Sequence, residues 1–302
     1  MLSPQEFGKT KLPTDQGGRR AKRGAGDRRM FETRRSASPL ASAFRMAELV
    51  YHSTVREVRR GHRNAVAGLL IAMAQSIIFV MAFYIMFALV GIRGSAIHGD
   101  YMLYLMSGVF LYMFHVRTVT AVARAEGPAS TMMLHAPLNP YIAMMAAALG
   151  ALYLQVLSMM VLLFLYHVAW SPLVIDDPAG AMGMVLLAWF SGFAVGTVFY
   201  ALRPWMPDVA QLLTNVWTRM NMVFSGKMFV ANVLPGFLMG YFSWNPLFHL
   251  IDQARGYIFL NYQPYFTDWR YALWVSTVIF VIGLMAENFT RKRASHSWGA
   301  GH

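Results

Sequence analysis

Apolar residues fall into six long runs joined by short polar connections, and a basic, polar stretch precedes the first of them. The runs cover Ala65–Ile92, Tyr101–Ala123, Tyr141–Trp170, Ala179–Leu202, Val209–Val230 and Tyr271–Asn288. A helix needs about 20 mostly apolar residues to cross roughly 30 Å of hydrocarbon, so each run predicts a transmembrane helix. Upstream, Ser38-Pro39 reads as a helix start, a capping serine followed by proline at the first helical position. Leu40, Phe44, Ala47, Tyr51, Val55 and Val58 then recur at spacings of three and four. The opposite face carries Arg45, Glu48, His52, Arg56, Glu57, Arg59 and Arg60. A helix over 38–63 with a basic face, leading straight into a membrane segment, is expected to lie in the headgroup plane.

The stretch Ser225–Tyr262 is apolar but broken. Pro235-Gly236, Gly240 and Asn245-Pro246 interrupt it, because proline lacks a donor and disfavours helix in the residue before it. Two short helices meeting at a bend, entering the bilayer and returning to the same side, fit this pattern over about 231–262. Non-helical backbone is tolerated at membrane depth only where protein or a wet cavity surrounds it. The connection after the second run, about 124–138, is broken at Glu126-Gly127-Pro128 and ends at Pro137 and Pro140. It predicts a short cytoplasmic helix presenting Met132, Met133 and Leu134, whose flexible side chains adapt to a partner's groove, or else a helix lying flat on the membrane. Residues 1–37 have almost no aliphatic content, cannot bury enough surface to fold, and read as a basic cytoplasmic tail. Residues 294–302 read as a second tail, leaving 64–293 as one six-span unit.

Composition agrees. The chain is 57% hydrophobic and 13% charged, against roughly 25% charged in soluble domains. Cysteine is absent, which removes disulfides, thiolate nucleophiles and cysteine-held metal clusters together. Fifteen of the 26 Lys and Arg precede the first run, between Lys9 and Arg63. A net charge of +12 could suggest nucleic acid, but beside a membrane segment it reads as the positive-inside rule. Arg124, Arg203 and the terminal Arg291-Lys292-Arg293 fall on the same side as the amino tail, while Asp100, Asp176 and Asp177 face outward. Six crossings then place both termini in the cytoplasm. No cleavable signal peptide is expected, since the first apolar run begins near Ala65.

Motifs for chemistry are thin. Ser225-Gly226-Lys227-Met228 lacks the first glycine and the Ser/Thr of a phosphate-cradling loop, so no nucleotide site is expected on this chain. His98, His115, His135, His167 and His249 lie in different segments, with no H-E-x-x-H; neither a catalytic nor a metal residue is assigned. His249, Asp252 and Arg255 recur every three residues, which allows a proton relay or metal pair; the simpler reading is an Asp252–Arg255 ion pair closing a helix at the bilayer edge. Gly192-x-x-x-Gly196 permits close helix approach, most simply inside the chain. Phe79, Phe83, Tyr84 and Phe87 in the first run, with Tyr104 and Tyr112 in the second, could stack on sugar faces or simply face lipid or core.

The order of these elements resembles the permease subunit of an ABC exporter, most closely the capsular-polysaccharide and O-antigen export type. Arg56-Glu57-Val58-Arg59 is similar to the family's R-[DE]-[IL]-[KR] at the end of the interfacial helix. Trp244-Asn245-Pro246-Leu247-Phe248-His249 with Asp252 and Arg255 resembles its W-N-P-L-x-H-x-[VI]-[ED]-x-x-R. Ser225-Gly226, Leu234-Pro235 and Ala136-Pro137-Leu138 also fit. The tryptophan and proline usual early in the first span are absent; Leu70 and Gln75 stand roughly there. The resemblance covers about 45–293. It implies an all-α polytopic half-transporter of the bacterial inner membrane, a homodimer moving a lipid-linked polysaccharide. Two cytoplasmic ATP-binding subunits, holding the ATP and Mg, would dock on Arg124, Glu126, Met132, Met133, Leu134 and His135. Arg56, Glu57, Arg59 and Arg60 belong to the interfacial helix. Pro235, Trp244, Asn245, Pro246, His249, Asp252 and Arg255 form the re-entrant gate. Phe79, Phe83, Tyr84, Tyr104, Tyr112 and Trp217 line the path. A periplasmic polysaccharide co-polymerase and an outer-membrane channel are further implied partners beside membrane lipid. The alternatives are another cargo (lipid, drug or teichoic acid), an intramembrane acyltransferase using His249–Asp252, and a passive channel or scaffold.

Overall fold

The computed structural model describes residues 39–61, 65–90, 100–126 and 139–299. Every regular element among them is helical. Contacts divide the chain into Met1–Met46 and Ala47–His302. The described part of the first unit is the opening of α1 (Pro39–Gly61), where Phe44 and Arg45 are both exposed. The second unit continues α1 and adds α2 (Ala65–Val90), α3 (Tyr101–Ala123), α4 (Pro140–Ala169), α5 (Pro178–Leu202) and α6 (Pro207–Phe224). A 3₁₀ turn (Ala231–Val233), α7 (Gly236–Phe242), α8 (Pro246–Ile258) and α9 (Trp269–Gly299) complete it.

Local chemistry sets where the helices begin. The side chains of Asp100, Asn139, Asp177 and Asn245 accept backbone N–H groups of the first turns of α3, α4, α5 and α8. Proline occupies the start of the last three, where its missing donor costs nothing.

Five helices, α2, α3, α4, α5 and α9, are long and apolar enough to cross a membrane. The expected fifth span, Val209–Val230, is shorter than its apolar run. α6 ends at Phe224, and Gly226, at φ +68°, turns the chain away. Its 18 residues reach about 27 Å at 1.5 Å each, and Asp208, Gln211, Asn215, Arg219 and Asn221 dilute its hydropathy. At the other end, α9 runs on through Gly299, so residues 294–299, read as tail, continue the helix.

α3 lies inside, with 78% of its apolar window buried, against 28% for α2. α5 packs most extensively on α9 and α3. A Cβ at Gly192 would stand 2.4 Å from the His115 carbonyl oxygen, and one at Gly196 2.8 Å from Val122 Cβ. The small-residue face of α5 therefore serves contact with α3 inside this chain. Ile71, Ile78, Met81 and Ile85 of α2, and Trp274, Val278, Ile282 and Met285 of α9, remain exposed. Apolar bands of this kind are foreign to a water-facing monomer. The protein is a multi-pass helical membrane protein.

Between α6 and α9 the chain makes two short helices with a break at Ser243–Asn245. Pro235 and Asn245-Pro246 thus stand at helix starts, whereas Gly240, read as a further interruption, lies inside α7. Residues 127–138, with Met132, Met133, Leu134 and His135, and the 1–37 tail lie outside the described residues, as do the side chains of Arg59 and Arg60.

Candidate functional site

The segment of two short helices is held by four polar side chains of α8 and its cap, each reaching a different part of the chain. Asn245 Oδ1 accepts the Leu247 N–H at 3.0 Å, while its Nδ2 donates to Asn221 Oδ1 at 2.9 Å and to the Phe224 carbonyl at 3.0 Å. The start of α8 is thereby fastened to the end of α6. Asp252, 1% exposed, accepts the Ala231 N–H at 3.0 Å and the Tyr262 hydroxyl at 2.6 Å on Oδ1, and the Thr267 hydroxyl at 2.8 Å on Oδ2. One carboxylate closes both ends of the segment. Burial, with Asp252 beside it, raises the Tyr262 phenol above its ordinary value and keeps it a donor.

Arg255 is fully buried. Its Nη1 donates to the carbonyls of Gly226 at 3.2 Å and Phe229 at 2.5 Å, and its Nη2 to that of Lys227 at 2.5 Å. These carbonyls belong to the turn where α6 ends, and a guanidinium fork is the side chain that can gather three of them. The expected Asp252–Arg255 ion pair does not form. The two residues share one helical face, but the segment offers each a closer set of backbone and hydroxyl partners.

His249 bridges two loops. Its Nδ1 accepts the Asp268 N–H at 3.0 Å, so the proton lies on Nε2, which donates to the Ser243 carbonyl at 2.8 Å. Burial lowers its pKa below the ordinary value, in keeping with a neutral ring. Both nitrogens are engaged, and neither is placed to act as a base. Among the described residues no group of three His, Cys, Asp or Glu is arranged to hold a metal ion. Trp244, on the rim, donates to the Tyr241 carbonyl at 2.7 Å and accepts the Tyr271 hydroxyl on its own carbonyl at 3.0 Å. Pro235 caps α7 and Pro246 opens α8.

The surface that receives this segment is a stripe on α3, Tyr104, Gly108 and Tyr112, spaced every four residues. The Arg255 guanidinium lies 4.2 Å from the Tyr104 ring centre, and the Lys227 ammonium 3.6 Å from that of Tyr112. Between them the Lys227 backbone crosses Gly108 so closely that a Cβ there would stand 2.7 Å from its carbonyl oxygen. Phe83 and Phe79 of α2 complete a cage around the ammonium, with ring centres at 5.0 and 5.3 Å. Each such cation–ring contact is worth about 0.5–2 kcal/mol, the upper end when water is excluded.

Four of the aromatics expected along a sugar path are therefore gathered here, with one cation against Tyr104 and the other among Tyr112, Phe83 and Phe79. The other two lie elsewhere. Tyr84 is on the exposed side of α2, its ring 6.1 Å from Tyr101. Trp217 donates to His115 Nε2 at 2.9 Å; His115 Nδ1–H then donates to Ser191 Oγ at 2.8 Å, and that hydroxyl to the Ala188 carbonyl at 2.8 Å. This buried chain ties α6 to α3 and α5. Of the expected coupling residues, Arg124 is exposed at the end of α3. The backbone beside it is pinned by Arg203 to the Ala125 carbonyl and by Tyr200 to that of Glu126. In α1, Arg56 is exposed, while Glu57 and Val58 pass over Gly150 of α4.

Reading the sequence missed Gly108, Asn221, Tyr262 and Thr267, whose roles come from distant partners. It also treated Lys227 only as a failed phosphate-loop lysine; a single lysine in an apolar run was the signal. No protein-family model matches the chain, and no curated protein matches it.

Proposed function

We propose that this chain is the transmembrane subunit of an ATP-driven exporter that moves a lipid-linked capsular or related polysaccharide across the bacterial inner membrane. The observation that carries the reading is the joint use of Asn245, His249, Asp252 and Arg255. The residues through which the sequence resembles that permease family each fasten the hairpin to a different loop. In this reading α6 is the fifth of six crossings, both termini are cytoplasmic, and residues 231–262 form a re-entrant outer gate. The bonding of the Gly226, Lys227 and Phe229 carbonyls by Arg255 and of the Ala231 N–H by Asp252 supports that placement, because irregular backbone survives at membrane depth only where its polar groups are bonded within the protein or lie in a wet cavity. Two copies enclose the path. Two separate ATP-binding subunits, with ATP and Mg, dock on the cytoplasmic connection containing Met132 to His135. Closure of those subunits alternates access to the path.

The test is affinity purification of the full chain in mild detergent. An ATP-binding subunit should accompany it in equal amount, with a hydrolysis rate that changes when this chain is present. Absence of any such subunit at near-native expression sinks the reading. Topology is checked separately: labels near Gly240 and at His302 should react from opposite sides of the membrane, and reaction from one side removes the sixth crossing.

A further inference from the structure

Lys227 has its backbone fixed by Arg255, yet its ammonium has neither a hydrogen-bond partner nor an ion-pair partner among the described residues. The residue is 2% exposed. An ammonium carries three donors, and aromatic faces offer it no acceptor atom. The carboxylate of α8 cannot supply one, since Asp252 is fully engaged with Ala231, Tyr262 and Thr267. Burial lowers the Lys227 pKa to about 7, so the cage disfavours the ammonium unless an anion beside it completes its shell.

We infer that Lys227 Nζ, in the cage of Phe79, Phe83 and Tyr112, is a binding site for the phosphate-type oxyanion of a membrane lipid. The charge and its missing partner call for an anion. The three donors of an ammonium match the several acceptor oxygens of a phosphate monoester, which stays ionised in apolar surroundings and, unlike the phosphate of a choline lipid, brings no cation of its own. The neighbouring surface selects the carrier. One wall of the cage is α2, whose outer side presents exposed Ile78, Met81 and Ile85, an apolar surface against which the acyl chains of a lipid can lie. Phe79 is the partly buried rim of the cage, while Phe83 and Tyr112 are buried. The proposal concerns this cage and its ligand and stands apart from the export reading.

The test uses the full chain in phosphatidylcholine nanodiscs, alone or with phosphatidic acid, and in parallel with inorganic phosphate in the buffer. Mass spectrometry of the released complexes counts retained lipid. The wild type should hold one phosphatidic acid per chain that Lys227→Met and Lys227→Gln lose, a fall in occupancy of at least tenfold. Lys227→Arg should keep most of it. Inorganic phosphate at equal concentration should not displace it. Equal retention by the wild type and by either uncharged variant overturns the site, and so does loss in Lys227→Arg alone. Full displacement by inorganic phosphate overturns the lipid as its source. Because Lys227→Gln keeps a polar end on a side chain only one atom shorter, a Lys227→Met chain that fails to fold still leaves a decisive comparison.

Discussion

The two ends of the Tyr104–Gly108–Tyr112 stripe hold one cation each, and they differ in what completes the cation's shell. At one end Arg255 stacks on Tyr104 and also meets three carbonyls of the turn after α6. At the other, Lys227 has aromatic faces and no acceptor. Both are buried, and both lie against the same helix. The α8 end is a closed arrangement in which each donor has an oxygen, save Nε of Arg255. The α2 end is an open one. A fastening is expected to look like the first, and a site awaiting a ligand like the second.

Breaking the closed end should have the largest effect. Arg255→Met leaves the Lys227 and Phe229 carbonyls without their donor, while the Gly226 carbonyl keeps the Phe229 N–H, and each buried carbonyl left unmet costs about 1–3 kcal/mol. Unfolding in mixed micelles should register that loss, with Arg255→Lys recovering little, because one compact ammonium cannot span three carbonyls. A loss below about 1 kcal/mol would mean that the guanidinium is not what holds the turn. Asn245→Ala comes next. It removes a helix cap, worth about 1 kcal/mol, and strips donors from Asn221 Oδ1 and the Phe224 carbonyl, for about 2–3 kcal/mol in all. If that variant unfolds like the wild type, the joint between α6 and α8 lies elsewhere.

Gly108→Ala strikes the middle of the stripe and therefore both ends. The added methyl would stand 2.7 Å from the Lys227 carbonyl and 2.8 Å from Arg255 Nη2. One is backbone and the other is locked by its hydrogen bonds, so neither yields cheaply. Overpacking of this kind costs about 1–3 kcal/mol. Combined with Arg255→Met the two losses should add up to less than their sum, since the second change removes one of the clashing groups. Simple additivity would show that the stripe does not act as a unit.

How far the sequence reveals this follows from the range of each interaction. Span positions and helix starts are legible because they are local. An apolar run announces α3, α4 or α5, and Asn139-Pro140, Asp177-Pro178 and Asn245-Pro246 each put a cap and a proline side by side. The broken character of 225–262 is legible for the same reason. The end of α6 is less so, since apolar residues continue past Phe224 while the chain turns at Gly226. The anchor's wiring is hidden. Spacing shows that Asp252 and Arg255 share a face, but their true partners lie 10 to 29 residues away. Local proximity therefore favours an ion pair that tertiary contacts override. The cage is harder still, for Lys227 meets rings more than a hundred residues earlier in the chain.

The smallest expected change in stability, and the one that most sharpens the comparison, is Lys227→Met. Methionine matches the length of the lysine stem, is flexible enough to fit among three rings, and makes favourable sulfur–aromatic contacts. It discards the cation–ring attraction, about 0.5–2 kcal/mol for each well-placed contact. Against that stands desolvation of an ammonium without a counter-ion, several kcal/mol even after the protein relaxes. Only the Tyr112 ring, at 3.6 Å, is in close contact, so the second quantity is at least as large as the first and the variant should unfold within about 1 kcal/mol of the wild type or be more stable. A loss above about 2 kcal/mol would mean that the rings alone satisfy the cation. The two ends of the stripe would then be fastenings of one kind, and the contrast that marks the α2 end as a ligand site would disappear. Equal or greater stability together with lost lipid retention separates the two ends: Arg255 holds the fold, and Lys227 is kept against the preference of the fold for something that arrives from outside it.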